Sequence, residues 1–378
     1  MGRVRPTNMS GFVRPKDTDA NAVVSVFRVS AEVAGQRVDV FLQHQLRRTS
    51  RTRAQFIVKA SAYDAAGHRL KPGDRVHSQQ HILLWREPWD ETPVPRDIPI
   101  VYEDDYILAV NKPANLPVHP TARYHRNTVI KMLTAERNDA FLSLGHRLDR
   151  ETSGVLLLTK TVECDRSLKR MLEERDGITK RYEAITWGIP VNPETGAALS
   201  VGYPYRLERH MRLDDLCQYK VKMKLVDASD PNGMYSSTIF TVLDTVNTER
   251  GEYARVSCLI ETGRQHQIRL HLQAMGAAIV GDKLYGPDES AFARGADGEL
   301  TEDDSAMLEL PRHALHAAMM GLLHPITHEP LEIVAPMPDD MREFWESITN
   351  RAERDRDPPG RALRESTHFG SPWSRRES

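Results

Sequence analysis

Asp149 lies between two arginines in the run His146-Arg147-Leu148-Asp149-Arg150-Glu151-Thr152-Ser153-Gly154, and the four residues that follow, Val155-Leu156-Leu157-Leu158, are all apolar. A polar turn feeding a buried strand makes a rigid platform whose turn stays within reach of a ligand. A guanidinium within about 4–6 Å would lower the Asp149 pKa by roughly 1–3 units and keep the group ionised at neutral pH. Such a carboxylate serves as nucleophile or base. The same nine residues also fit a plain turn, with Asp149 accepting backbone bonds and both arginines in solvent.

A second run, Thr262-Gly263-Arg264-Gln265-His266-Gln267-Ile268-Arg269-Leu270-His271-Leu272, follows the strand-like stretch Ala254–Ile260. It reads as a helix start with Ile268 and Leu272 on a buried face. Arg264 falls in the first turn, and His266 and Arg269 share another side by i, i+3 spacing, where they suit a phosphate or a carboxylate. His266 and His271 are five apart, a poor offset for one metal, and a third ligand is missing. His324 and His328 straddle Pro325, and His313 and His316 lack a partner set, so no metal is expected. A third run, Lys180-Arg181-Tyr182, offers an aromatic ring to stack on a base and a hydroxyl to hydrogen-bond. On its own it is an ordinary half-buried tyrosine.

The elements that must position these residues fall into two parts. Residues 1–26 lack periodicity and read as a tail. From Phe27 to about residue 89, Val38, Phe41, Leu42 and Leu46 recur at helical spacing, and Ser50 caps a second short helix from Arg51 to Lys59. The turn Lys71-Pro72-Gly73-Asp74 leads into a strand-like run, Arg75–Trp85. A linker over 90–99 precedes a long mixed region, 100–348, and 349–378 reads as a second tail. In the long region, strand-like runs at Tyr106–Val110, Val155–Thr159, Tyr182–Thr186, Thr238–Leu243, Ala254–Ile260 and Leu331–Val334 alternate with helical ones. Pro287–Leu310 has little apolar pattern and carries eight acidic side chains against Arg294, a local charge of −7.

The 378-residue length suits about two domains. No apolar run approaches the ~20 residues of a membrane span, and residues 1–10 lack an apolar signal segment. Three scattered cysteines, Cys164, Cys217 and Cys258, argue against a disulfide framework and for a reducing cytoplasm. The net charge of −2, from 51 basic and 53 acidic residues, argues at first against a nucleic-acid partner. It is a sum of unlike parts. Residues 1–98 hold 16 basic and 10 acidic side chains, +6, and without the acidic insert the chain is −2 + 7 = +5. An RNA-facing surface and an acidic lobe held away from it fit that pattern.

Read together, the three runs are similar to the RluA-type pseudouridine synthases, over most of Phe27 to Pro338. His146–Lys160 resembles that family's signature, whose aspartate is catalytic; Asp149 stands there. Lys180-Arg181-Tyr182 matches its K-x-Y, with Tyr182 as the active-site tyrosine. Gly263–Leu272 matches its G-R-x-H-Q-I-R-x-H-L, whose second arginine pairs with the catalytic aspartate; that is Arg269. Further matches are Tyr102-Glu103-Asp104, Asn111-Lys112-Pro113, Pro117-Val118-His119-Pro120, Gly281-Asp282 with Tyr285-Gly286, Ala314-Leu315-His316-Ala317 and His324-Pro325. Gln265 stands where Thr or Ser is usual, and the K-P-A-x-T-x-F stretch survives only as Ser236-Ser237-Thr238-Ile239-Phe240. The acidic insert and the tail after Met341 have no counterpart in the family core. The first part resembles a small ribosomal-protein-like RNA-binding domain, in which Arg47, Arg48, Arg51 and Arg53 form a basic face.

The resemblance implies an α+β fold: a mixed, largely antiparallel sheet with flanking helices, preceded by a small α+β RNA-binding domain. It implies a cofactor-free, monomeric, cytoplasmic isomerase that turns uridine into pseudouridine in structured RNA, with ribosomal RNA favoured and transfer RNA possible. Arg147, His146, Arg150, Thr152, Arg264, His266 and Lys180 are then candidates for holding RNA, and Leu157 with its neighbours for excluding water. The rivals are a non-catalytic RNA-binding or ribosome-assembly factor of the same fold, and a hydrolase that would need Glu151 or Asp282 as a second carboxylate.

Overall fold

A computed structural model of the chain describes residues 11–19, 22–46, 49–87, 91–121, 123–137, 139–174, 177–219 and 221–356. The chain divides into two units, Met1–Thr92 and Pro93–Ser378. In the first, strand β1 (Val23–Arg28) is followed by helices α1 (Val38–Gln45) and α2 (Arg51–Ser61) and strands β2 (Ala62–Tyr63) and β3 (His81–Arg86). The antiparallel order is β1-β3-β2. Phe27, Val38, Phe41, Leu42, Val58, Ile82 and Leu84 form its core. The Ser50 Oγ accepts from the Arg53 N–H at 3.2 Å and so caps α2. Asp39 is fully buried; a two-pronged bond from Arg37, against the cost of burial, holds its carboxyl down at about 2.

Two boundaries move. The first strand begins at Val23, and Phe12 and Ala22 pack against Val26, Tyr63, Leu83 and Trp85, so ordered structure reaches well into the stretch read as a tail. The run Arg75–Trp85 becomes a strand only from His81, because Arg75 makes only an isolated bridge to Arg37 and the chain turns at residues 78–79. Arg47 and Arg48 lie outside the described residues. Arg51 sits 3.8 Å from Asp39, and Arg53 lies over the exposed Phe56 ring.

In the second unit the chain order is β4 (Ile100–Glu103), β5 (Ile107–Lys112), α3 (Val129–Glu136), β6 (Ser143–Leu144), β7 (Ser153–Thr159), α4 (Val162–Glu174) and β8 (Thr179–Trp187). There follow β9 (Pro204–Leu213), β10 (Met223–Val226), β11 (Met234–Thr248), β12 (Gly251–Ile260) and α5 (Gln267–Ala274). The unit ends with α6 (Ala291–Asp297), α7 (Glu302–Leu308), β13 (Leu315–Leu323), β14 (Pro330–Val334) and α8 (Asp339–Arg356). Eleven strands make one sheet in the order β10-β9-β11-β12-β8-β13-β7-β5-β4, with β14 beside β13 and β6 beside β7. Pairing is antiparallel except between β13 and β7. This is the mixed, largely antiparallel sheet with flanking helices that the sequence leads one to expect. Among the described residues no helix is long and apolar enough to cross a membrane.

Strand β7 is buried along its whole length, with helices on both faces. Leu156 and Leu158 join the larger core with Leu148 and Tyr182, whereas Val155 and Leu157 pack with Ile107, Ala109, Cys164 and Leu168 on the other face. Leu157 therefore points away from Tyr182 and cannot shield the site; the pleat, which alternates side chains, assigns that face to Leu156 and Leu158. Gly154 has φ +110°, and a Cβ there would lie 2.2 Å from the Ala317 carbonyl oxygen, so only glycine lets β7 run this close to β13.

The acidic insert is structured. Thr301 and Asp304 form a reciprocal cap on α7, each side chain accepting the other's backbone N–H at 3.0 Å. Arg294 holds Asp304 and Asp288, Lys222 holds Glu289, and Glu309 accepts from Trp187 Nε1 at 2.7 Å and Tyr253 Oη at 2.9 Å. Four of its acids are thus bound into the fold, and the insert is no free lobe. Helix α8 likewise runs past residue 348 to Arg356, with Trp345, Ile348 and Ala352 buried in the core.

Candidate active site

Asp149 stands in the turn just before β7, where the Thr152 N–H returns to its carbonyl at 3.2 Å. Its side chain is 33% exposed. The neighbours in sequence do not pair with it. Arg147 is exposed, and Arg150 turns to Glu151 at 2.9 Å and to the Tyr124 hydroxyl at 3.3 Å. The guanidinium beside Asp149 belongs to Arg269 of α5, whose Nη1 donates to Oδ2 at 3.2 Å.

Arg269 is itself aimed by Asp282, which accepts Nε at 2.6 Å and Nη2 at 2.8 Å. Asp282 is fully buried and takes the Leu284 and Tyr285 N–H groups as well, each at 2.9 Å. Gly281 makes that turn possible: its φ is +77°, and a Cβ would meet the Arg312 carbonyl oxygen at 2.0 Å. The Tyr285 ring lies 5.0 Å from the guanidinium carbon. Burial works against the Arg269 charge, and the Asp282 and Asp149 carboxylates more than restore it.

Burial also pushes the Asp149 carboxyl upward, but His266, Arg269 and His313 around it leave it below the ordinary aspartate range. Burial drives His266 down to about 4 and His313 to about 3, so both are neutral at pH 7. The charge beside Asp149 at neutral pH is therefore that of Arg269. Tyr285 Oη accepts the Met223 N–H at 2.8 Å and faces His266 Nδ1 at 3.0 Å. When the Tyr285 hydroxyl donates its hydrogen bond to Nδ1, the neutral ring carries its one hydrogen on Nε2, which faces Asp149 Oδ2 at 3.8 Å.

Tyr182 lies on β8 with 8% exposure, and its hydroxyl has no hydrogen bond within the described residues. Burial first, and the Asp149 charge second, raise its pKa, so it is a neutral phenol.

A layer of buried polar contacts fixes the turn. Lys112 Nζ gives its three donors to the carbonyls of Pro113, Leu116 and Arg150 at 2.7, 3.0 and 3.0 Å. Glu151 is held by Lys283 at 3.1 Å, and Arg312 forks onto Asp340 at 2.7 Å while reaching the Glu151 carbonyl at 3.4 Å. Gln267 takes Thr262 Oγ1 at 2.6 Å and the Arg264 N–H at 3.0 Å, and donates to Ser237 O and Thr238 Oγ1. Spacing did not reveal this layer, since the contacts of Lys112 to Arg150, of Glu151 to Lys283 and Arg312, and of Gln267 to Ser237 and Thr238 join segments far apart in the chain.

Three of the residues expected to hold RNA are otherwise engaged. Thr152 is buried, with Oγ1 2.8 Å from His313 Nε2. The His146 Nε2 accepts the Leu157 N–H at 3.2 Å, and burial keeps the ring neutral, near 3. Arg150 is paired with Glu151. His271 lies apart from His266, its ring between Ser236 and Thr238. Glu151 and Asp282 are both saturated by cations and backbone donors, which leaves neither as the water-activating carboxylate that a hydrolase would need.

A sequence model described as RNA pseudouridylate synthase matches residues 106–274, which include Asp149, Tyr182 and Arg269. A ribosomal large subunit pseudouridine synthase D from Vibrio parahaemolyticus is 31% identical over 345 residues, covering 88% of this chain and 97% of the relative. The chain belongs to the RluA-type RNA pseudouridine synthase family. A protein of the same name from Vibrio vulnificus is 32% identical over 332 residues, with 84% and 93% of the two chains covered. Among solved structures, human RNA pseudouridylate synthase domain containing 1 aligns at 21% identity and a TM-score of 0.49, covering 68% of this chain and 97% of that one. This RNA pseudouridine synthase is accordingly an isomerase.

Proposed function

We propose that this synthase isomerises uridine in large-subunit ribosomal RNA, with Asp149 as the reacting carboxylate. The observation that carries the reading is the one-third exposed Asp149, held ionised by a buried Arg269 that Asp282 keeps in place. A partly desolvated carboxylate of fixed orientation is a better nucleophile or base than one in water. The target nucleotide must leave its stack to reach it, at a cost of a few kcal/mol. Stacking on the Tyr182 ring, worth roughly 1–3 kcal/mol, offsets part of this. The exposed Arg147 is placed to meet the RNA backbone. Leu148, Leu156 and Leu158, packed with Tyr182 in one core, keep water from the detached base. Asp149 attacks the ribose or the base, or takes a ribose proton; the geometry serves all three.

The relatives named ribosomal large subunit pseudouridine synthase D favour ribosomal over transfer RNA. The three free cysteines fit a reducing cytoplasm. The chemistry is assigned to side chains alone, in a monomer. Pseudouridine mapping across total RNA from cells with and without the gene tests the reading. Loss of one or a few large-subunit sites is expected, and an unchanged map would overturn it.

A further inference from the structure

Beside the Asp149 turn lies a cleft of about 430 Å³ between the end of α4, the start of β8 and the Thr262–Arg264 turn. Lys180 lines it. Strand residues two apart share a face, so Lys180 projects on the same side of β8 as Tyr182, roughly 6.6 Å further along. That distance is of the order of one nucleotide step in an extended strand.

The surroundings of Lys180 leave its charge uncompensated. Among the described residues no carboxylate lies in salt-bridge range of it and it has no hydrogen bond. Glu261 lines the same cleft, but its Oε2 is taken by Arg206 at 2.8 Å and by Ser237 Oγ at 2.5 Å. Glu173, on the opposite wall, is exposed to solvent. Burial alone brings the Lys180 ammonium down to about 8. A desolvated cation without a partner is unfavourable unless an anion joins it. Arg264, on the rim, adds a second cation, its Nε bonded to the Tyr235 carbonyl at 3.1 Å.

We infer that this cleft seats a phosphate adjoining the target uridine, with Lys180 as its counter-charge and Arg264 at its rim. The subsite rests on the reading that the chain acts on RNA. It sets the register of the strand, so that the nucleotide next to the bound phosphate is the one that reaches Asp149 and Tyr182. Lys180 is thus a binding residue, and its loss acts on affinity and on the choice of uridine.

The test is a cycle between protein and RNA variants. The probes are synthetic oligonucleotides centred on a mapped uridine, carrying a neutral methylphosphonate at either the 5′ or the 3′ flanking linkage. With the wild-type protein, one of the two neutral linkages should weaken binding about tenfold, as expected for one charge-assisted hydrogen bond. Lys180→Met should cost about the same with the natural linkage, and the neutral linkage should then cost nothing more. It should also reduce the salt slope of log K by about 0.7 for a single-stranded probe. Lys180→Arg should restore most of the affinity, which separates lost charge from a disturbed fold. If Lys180→Met stays fully sensitive to the linkage that weakens wild-type binding, or the wild type is sensitive to neither, the cleft holds something else and the inference falls. Product formation by the wild type is followed in parallel. Its absence would count against the reaction, whereas the binding cycle judges the subsite.

Discussion

Arg269 and Asp149 meet through one N–H only, Nη1 to Oδ2 at 3.2 Å. The fork of Arg269 goes to Asp282 instead. The arrangement divides the work between two carboxylates: Asp282, fully buried, fixes the guanidinium, and Asp149 keeps the lone pairs and the exposure that a reacting group needs. It also explains how a cation can sit buried here at all.

Asp149→Ala should abolish pseudouridine formation while RNA affinity stays within a few-fold of wild type, since Asp149 itself makes no favourable phosphate contact. A primer-stop assay and a binding titration on the same RNA check this. Any residual product from the variant would remove Asp149 from the chemistry.

Arg269→Gln should reveal what holds Asp149 ionised. Without the cation, the carboxyl pKa rises from its depressed value, and the acid limb of kcat/KM moves to higher pH. The variant should also lose about 3–5 kcal/mol of stability, because buried Asp282 is left without its counter-charge. An acid limb that does not move would mean that Asp149 owes its ionisation to other groups.

Stability should fall on mild acidification, before the carboxylates titrate. Burial depresses His266, His271 and His316 to about 4, and His146 and His313 to about 3. The unfolded chain takes up these protons near pH 6.5, the folded chain only below about 4. Between those values the unfolded state binds more protons, so stability drops as pH falls. Tm measured from pH 7 to pH 4 should decline steadily, and replacing His271 by Asn should flatten the slope. A flat Tm over this range would contradict the buried neutral imidazoles.

Lys112→Met should destabilise the protein by about 1–3 kcal/mol by leaving three buried carbonyls without a donor. Because one of them is that of Arg150, next to Asp149, kcat should fall more than KM rises. Chemical denaturation and steady-state kinetics on one preparation test both parts, and a purely thermodynamic effect would confine Lys112 to the fold.

Glu302→Lys with Asp303→Lys probes the exposed acids of the insert without removing Glu309, which anchors it to Trp187 and Tyr253. Nonspecific RNA binding should tighten at low salt and return to wild type at high salt, where surface charges are screened. Unchanged affinity at low salt would place these acids away from the path of RNA.

The family resemblance singled out the candidate residues in the sequence, and local pattern placed the elements that carry them. Asp149, Tyr182 and Arg269 each sit at a fixed offset from a strand or helix whose apolar pattern is strong: Val155–Leu158 after the first, Ala184 and Ile185 after the second, Ile268 and Leu272 around the third. Strands β9 and β10 escaped because their charged alternation buries only Leu207, Met211 and Met223. The insert looked unpatterned because its helices are short and are held by Arg294–Asp304 and Glu309 rather than by an apolar stripe.

What the sequence by itself determined is the family, and through it the candidate residues and the sheet-and-helix class, together with the elements that carry them, since motif order, periodicity and turn chemistry are all read along the chain. What only the tertiary structure decided is pairing: that Arg269 and not Arg147 or Arg150 faces Asp149, that Asp282 steadies it, that Leu156 and Leu158 rather than Leu157 share a core with Tyr182, and that Lys180 finds no partner among the described residues. Those outcomes depend on sheet order and on which face each pleat presents. Both are set by burial summed over segments 120 and more residues apart, as between Asp149 and Arg269 and between Thr152 and His313.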